Sequence, residues 1–279
     1  MDPESHFSNN KIASRFHFET GCLFLSRKFE DAVIKSIGDK PRDVFWVDHG
    51  RVIGSRIVQH ARSLGMKTVV FNVDDPFGFR DRLTWLLYKK TVKEYDLTVV
   101  VREPNVDEAK RFGAKDVLKV WRSGDEVAHR RNELTEEEIH KYSTDVLFLG
   151  TWMVGRGKFI KNLIDRGVPV SIVGDRWNRA PEWNSIKSHW KGPGVYTDRE
   201  YAGYIQCSKI CLGFLSFQNR DLHTTRTAEI PLIGSLFCAE RTTEHLELYD
   251  DGVEAVFWDD AEECARQCNE LLVDPERIS

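Results

Sequence analysis

Short runs of β-branched and apolar residues alternate along the chain with longer stretches in which apolar positions recur every three to four residues. Strands covered on both faces read as unbroken apolar runs, while the helices that cover them keep one polar face, so this alternation predicts parallel sheets flanked by helices. Two sheets are expected. Strands at residues 44–48, 68–73, 97–101 and 117–121 make the first, with helices at 55–64 and 80–95 and an earlier one over 23–37 marked by Phe29, Val33 and Ile37. Strands at 145–149, 168–173, 209–214, 235–239 and 254–258 make the second, and its first helix turns Phe159, Ile160, Leu163 and Ile164 inward. Residues 122–144 are charged and poor in apolar positions, which reads as a linker with a short helix. The expected domains are therefore 1–143, with the linker starting near 122, and 144–279.

A parallel sheet gathers its ligand-binding loops at the carboxyl ends of its strands. That singles out residues 49–54, 74–79, 102–105, 150–158, 174–180 and 215–225 before any motif is weighed. Two such domains facing a cleft suit a donor in one half and an acceptor in the other.

Composition narrows the function. The chain has 279 residues, 41% hydrophobic and 30% charged, which is enough for two modest α/β domains. A net charge of -4 with no concentrated basic patch argues against nucleic acid, whose phosphates require clustered Lys and Arg. Met1 to Asn10 is polar, and no apolar run approaches the roughly 18 residues of a membrane span, so a cytoplasmic chain without a membrane segment is expected. Among six cysteines, Cys207 with Cys211 and Cys264 with Cys268 share a four-residue step. Ala261, Cys264, Ala265, Cys268, Leu271 and Leu272 form one apolar helical stripe, where small buried thiols belong, and ligand sets with zinc spacing are absent. No metal is expected.

The most specific stretch is residues 226–245, Arg-Thr-Ala-Glu-Ile-Pro-Leu-Ile-Gly-Ser-Leu-Phe-Cys-Ala-Glu-Arg-Thr-Thr-Glu-His, followed by residues 249–257. It resembles the CgeB-like (spore-maturation type) glycosyltransferases, whose stretch reads Arg, an aromatic or Thr, a variable residue, Glu-Ile-Pro, then Gly and a strand. Phe148-Leu-Gly150 with Arg156, Ile172-Val-Gly174 with Trp177, and Ser208-Lys-Ile210 also match. In the first half the resemblance rests on Asn72-Val-Asp-Asp75, Tyr95-Asp96 and strand order. The resemblance implies a GT-B fold of the group 1 glycosyltransferase-like kind: two Rossmann-like domains, the second holding a nucleotide-diphosphate sugar. Relatives open on a strand and a Gly-containing loop ahead of the helix at 23–37 and continue past Ile278, so both ends of this chain read as short.

Each matched residue has a chemical reason. Glu229, early in a helix, can accept hydrogen bonds from the vicinal diol of ribose, although an acid near a helix N-terminus is also favoured by the macrodipole alone. Asp221 precedes it with seven residues between, a spacing found in retaining GT-B families, and would orient the donor sugar. Negative charge grows on the departing diphosphate as the glycosidic bond breaks, which calls for fixed positive charge and aligned amides. Arg156 and Lys158, in a Gly-rich strand-to-helix loop, and Arg226 answer that need, with Gly150 and Gly174 lining the backbone approach. Trp177 is placed to pack near the base, and Trp183, Trp190, Tyr196, Tyr201 and Tyr204 follow it, a density that also builds core edges. On the acceptor side, His49 and the pair Asp74, Asp75 end adjacent strands, and His49 or Asp75 would position or deprotonate a hydroxyl.

Other phosphate motifs fail. Gly155-Arg-Gly-Lys158 lacks the earlier Gly and the Ser or Thr of a Walker A loop, no strand leads into Gly-x-Gly-x-x-Gly, and no Asp-x-Asp triplet exists to grip a divalent ion. The expectation is a metal-independent, hexosyltransferase-like enzyme using a UDP-sugar as donor, with no separate cofactor, and a glycan or lipid-linked hydroxyl as acceptor. A sugar-nucleotide epimerase on the same fold would turn over without acceptor. A non-catalytic sugar-nucleotide-binding module would bind donor and release no nucleotide.

Overall fold

Ser26 sets the start of the first well-capped helix: its Oγ accepts the Phe29 N–H at 3.2 Å, so the helix runs over Arg27–Ile37 rather than from residue 23. The computed structural model describes residues 11–195 and 197–278. Residues 1–10, Tyr196 and Ser279 lie outside it. The chain divides into two units, one of residues 1–121 together with 216–221, the other of residues 122–215 and 222–279.

Unit 1 begins with α1 (Lys11–Glu19), which the apolar pattern did not signal, and continues with α2 (Arg27–Ile37), β1 (Val44–Asp48), α3 (Ser55–Ser63), β2 (Lys67–Asn72), α4 (Leu86–Thr91), β3 (Leu97–Val100), α5 (Glu103–Arg111) and β4 (Val117–Lys119). The four strands are parallel in the order β1-β2-β3-β4, with Val47 beside Val70 and Val99 beside Leu118. The helix expected over 80–95 is split, with 3-10 turns at Arg82–Trp85 and Val92–Glu94 bracketing α4. Its inward positions still hold: Trp85, Tyr88, Val92 and Tyr95 are buried with Val33, Ile57 and Val70 in one core.

Unit 2 contains α6 (Glu136–Tyr142), β5 (Thr144–Leu149), α7 (Arg156–Asp165), β6 (Val170–Val173), α8 (Trp183–Ile186), β7 (Trp190–Gly192), α9 (Asp198–Gln206), β8 (Ser208–Gly213), α10 (Thr225–Ile233), β9 (Leu236–Glu240), α11 (Thr243–Leu248), β10 (Val256–Trp258) and α12 (Ala261–Leu272). Its six strands are parallel in the order β10-β9-β8-β5-β6-β7. Alternation along β5 shows why the strand reads as all apolar: Val146 and Phe148 join the core with α7 and α12, and Leu147 joins the core with α9 and α10. The charged stretch is ordered at α6 by a capping box, Thr135 and Glu138 each accepting from the other's backbone N–H. Strand β7 is too short and polar to read from sequence, and the Trp190 indole N–H, donating to Gly174 O at 2.9 Å, anchors it at the edge. Among the described residues, no helix is long and apolar enough to cross a membrane.

Candidate functional site

Helix α10 opens at the carboxyl end of β8, where its first turn leaves backbone N–H groups without helical partners. Thr224 caps it, accepting the Arg226 N–H at 3.2 Å, and Thr227 accepts the Thr224 N–H at 3.1 Å. One turn on, Glu229 is 7% exposed. Its Oε2 accepts the Tyr201 hydroxyl at 2.5 Å and Arg226 Nη1 at 2.8 Å, and its Oε1 lies 3.6 Å from His129 Nε2. The Arg226 guanidinium sits 5.0 Å over the Tyr201 ring. Burial raises the Tyr201 phenol well above its ordinary range, against the lowering by Arg226, and the Glu229 charge adds to the rise, so Tyr201 stays a donor. The result is a preorganised carboxylate, one oxygen held by two donors.

Arg156, the first residue of α7, follows β5, the strand beside β8. Its guanidinium donates to Thr151 O at 2.8 Å and to Leu215 O at 3.2 Å, and lies 5.4 Å over the Phe148 ring. It thereby ties together the loops after β5 and β8. Lys158, two residues along, is exposed. Gly150 and Gly174 pack backbone against backbone: a Cβ on Gly174 would meet Gly150 O at 1.9 Å, so no side chain fits there. Trp177 is 1% exposed, and its indole N–H donates to Gly150 O at 2.9 Å, so it holds the loop from beneath rather than standing open to a base. Glu240 accepts the Leu215 N–H at 2.9 Å, and burial pushes its carboxyl above the usual range despite that bond and Arg156.

In unit 1, His49 ends β1 in the left-handed region, φ 61°, a cost that non-glycine residues bear mainly where function or packing holds them. It lines a cavity of about 980 Å³ with Trp46, Arg51, Asp74, Arg80 and Trp85. His49 Nε2 lies 3.8 Å from Asp74 Oδ2, and Asp74 Oδ1 lies 3.5 Å from Arg80.

Asp75 points elsewhere. It is 1% exposed and accepts from Arg220 at 2.6 and 2.7 Å, from Asn105 at 2.9 Å and from the Gly78 N–H at 2.9 Å. Burial alone would raise its pKa, but Arg220, Asn105 and Gly78 outweigh that and hold it below the usual carboxylate range. Asp221 is likewise buried and paired with Arg102, which also donates to Val73 O at 2.8 Å. Both acids are thus occupied within unit 1, where they fasten residues 216–221.

Residues 156–279 match the family described as glycosyl transferase-like. Sucrose-phosphate synthase from Thermosynechococcus elongatus superimposes with a TM-score of 0.64 at 12% identity, covering 95% of this chain and 71% of that one. The Anabaena protein HepE in complex with UDP-glucose gives 0.60 at 12% identity, covering 90% and 74%. A UDP-N-acetylglucosamine 2-epimerase gives 0.51 at 15% identity, covering 90% and 68%. No curated protein matches by sequence. The fold is GT-B.

Within this GT-B chain, sequence reasoning missed a second polar relay beneath α10. His245 Nδ1 lies 2.7 Å from Glu240 O, a pure acceptor, so Nδ1 carries the proton, and Nε2 accepts the Thr227 hydroxyl at 3.0 Å. Burial lowers the His245 pKa, which keeps the ring neutral. Beside it, His223 Nε2 accepts the Arg122 N–H at 3.0 Å, leaving Nδ1–H to donate to Glu244 at 2.6 Å. The signal was present in the matched stretch, where Glu244 and His245 close the motif, but their partners lie 18 to 21 residues away.

Proposed function

We propose that the protein is a glycosyltransferase that moves a sugar from a nucleotide-diphosphate donor, a UDP-sugar, to a hydroxyl of a glycan or lipid-linked acceptor. The observation that carries the reading is the buried Glu229 carboxylate, oriented by Tyr201 and Arg226 inside the segment that matches the glycosyl transferase-like family. A carboxylate with one oxygen so held can turn its remaining lone pairs to a ribose diol. Arg226 and Lys158, with the α7 N-terminus, supply positive potential for the diphosphate. Arg156 supports the same loop through the carbonyls that it binds.

The cavity beside His49 and Asp74 suits the acceptor, with His49 as the group that takes the hydroxyl proton. Asp74 takes the orienting place expected of Asp75, and Asp221 acts by fixing residues 216–221. Transfer on this reading needs no divalent ion. It keeps the CgeB-like resemblance and a cytoplasmic setting.

The similarity of fold to a 2-epimerase favours a second reading, in which the donor is converted without acceptor. A thermal-shift panel of UDP, GDP, dTDP, CDP and NAD tests the first step, since selective binding raises Tm by mass action. Selective stabilisation by a nucleoside diphosphate supports the proposal, and stabilisation by NAD alone overturns it. Conversion of the sugar with no acceptor present would select the epimerase reading.

A further inference from the structure

Cys238, at the centre of β9, and Cys264 and Cys268, one turn apart on α12, bring three thiols together in the core of unit 2. All three are 0% exposed. Their sulfurs lie within 4.8 Å of one another. Nothing in the sugar-transfer chemistry uses them, and the four-residue step on α12 gave no hint that a strand residue completes the set.

We propose that Cys238, Cys264 and Cys268 form a buried site for a soft monovalent metal ion, Cu(I), which clamps α12 to β9. With a metal–sulfur bond of about 2.3 Å, three sulfurs in a plane around one ion stand about 4.0 Å apart, so each sulfur needs to move inward by about 0.5 Å at most. Thiolates select soft ions such as Cu(I) and Zn²⁺ over Mg²⁺ or Ca²⁺, which take oxygen ligands. Zinc closes structural sites with four ligands. Among the described residues no fourth Cys, His, Asp or Glu joins this group, and the three cysteines belong to an apolar core that also holds Leu212, Val256 and Leu271. Cu(I) is satisfied by two or three sulfurs.

On binding, two of the three thiols release their protons to solvent and the third cysteine binds as a neutral thiol. The site then carries one negative charge, against two for a fully ionised trio. Entry requires α12 to lift transiently, so loading is slow.

The test uses the full chain, reduced and kept from oxygen, titrated with Cu(I) against a coloured Cu(I) chelator. One equivalent is expected to resist the chelator, and Tm is expected to rise by roughly 5–10 °C when free Cu(I) exceeds Kd about 100-fold. Cys268→Ala should weaken binding at least tenfold, while Cys207→Ala, which changes a thiol outside the cluster, should not. If Cys268→Ala fails to fold, Cys264→Ser and native mass spectrometry of the unaltered chain give the same decision. Equal affinity in the cluster variants and the parent, no Tm rise, or capture of Zn²⁺ in preference to Cu(I) would overturn the site. UDP binding is read separately, so failure here leaves the sugar-transfer reading untouched.

Discussion

Glu229 is buried with two donors on a single oxygen, and that asymmetry decides what its loss would do. Glu229→Gln keeps the shape but offers Tyr201 and Arg226 a weaker acceptor, and it removes the charge that a diol would bind. Nucleoside-diphosphate affinity should fall by about 1.5–3 kcal/mol, the usual worth of a hydrogen bond to a charged group, as read by calorimetry. Asp75 makes the opposite kind of prediction, on stability. Its folded pKa is depressed, so its contribution is complete above the unfolded value near pH 4 and is lost as pH falls through the lower folded value. Asp75→Asn should cost about 1–3 kcal/mol at pH 7, below the range for fully buried pairs because Arg220 is 37% exposed. The variant's stability should change less than the parent's between pH 4 and pH 2 in denaturant titrations. Glu229 was legible in the sequence because a local motif carries it. The partner of Asp75 was not, since Arg220 is 145 residues away.

At the scale of the element, α10 contains Pro231, which has no N–H for the carbonyl of Thr227 four residues earlier. The Tyr249 hydroxyl fills that gap, donating to Thr227 O at 2.7 Å. Tyr249→Phe should therefore destabilise the protein by about 1–3 kcal/mol, the cost of a buried acceptor left without a donor, with donor affinity reduced less than by Glu229→Gln. Chemical denaturation with parallel UDP titration would separate the two effects. Elements with apolar faces were readable to within a few residues: β1 coincides with its expected span, and β8 and β9 shift by one residue. Elements set by single polar bonds were not. Strand β7 pairs with β6 and is anchored by the Trp190 indole, and the start of α2 is set by Ser26, neither of which hydrophobic periodicity registers.

For the molecule as a whole, the pattern of apolar runs carried the two parallel sheets, and the resemblance of residues 226–245 implied GT-B; a central strand such as β5 is buried on both faces, whereas the edge strands β1, β4 and β7 are partly exposed. The apolar pattern did not carry the path of residues 216–221, which belong to unit 1 although the chain on either side belongs to unit 2. Arg102–Asp221 and Arg220–Asp75, pairs between residues far apart in sequence, fasten the segment there. The central claim is that unit 2 binds a sugar-linked diphosphate through Glu229. Calorimetric titration with UDP, on the parent chain and on Glu229→Gln, tests it most directly. The account predicts saturable one-to-one binding that weakens at least tenfold in the variant at unchanged stoichiometry; equal affinity in the two proteins, or no binding of UDP to the parent, would contradict it.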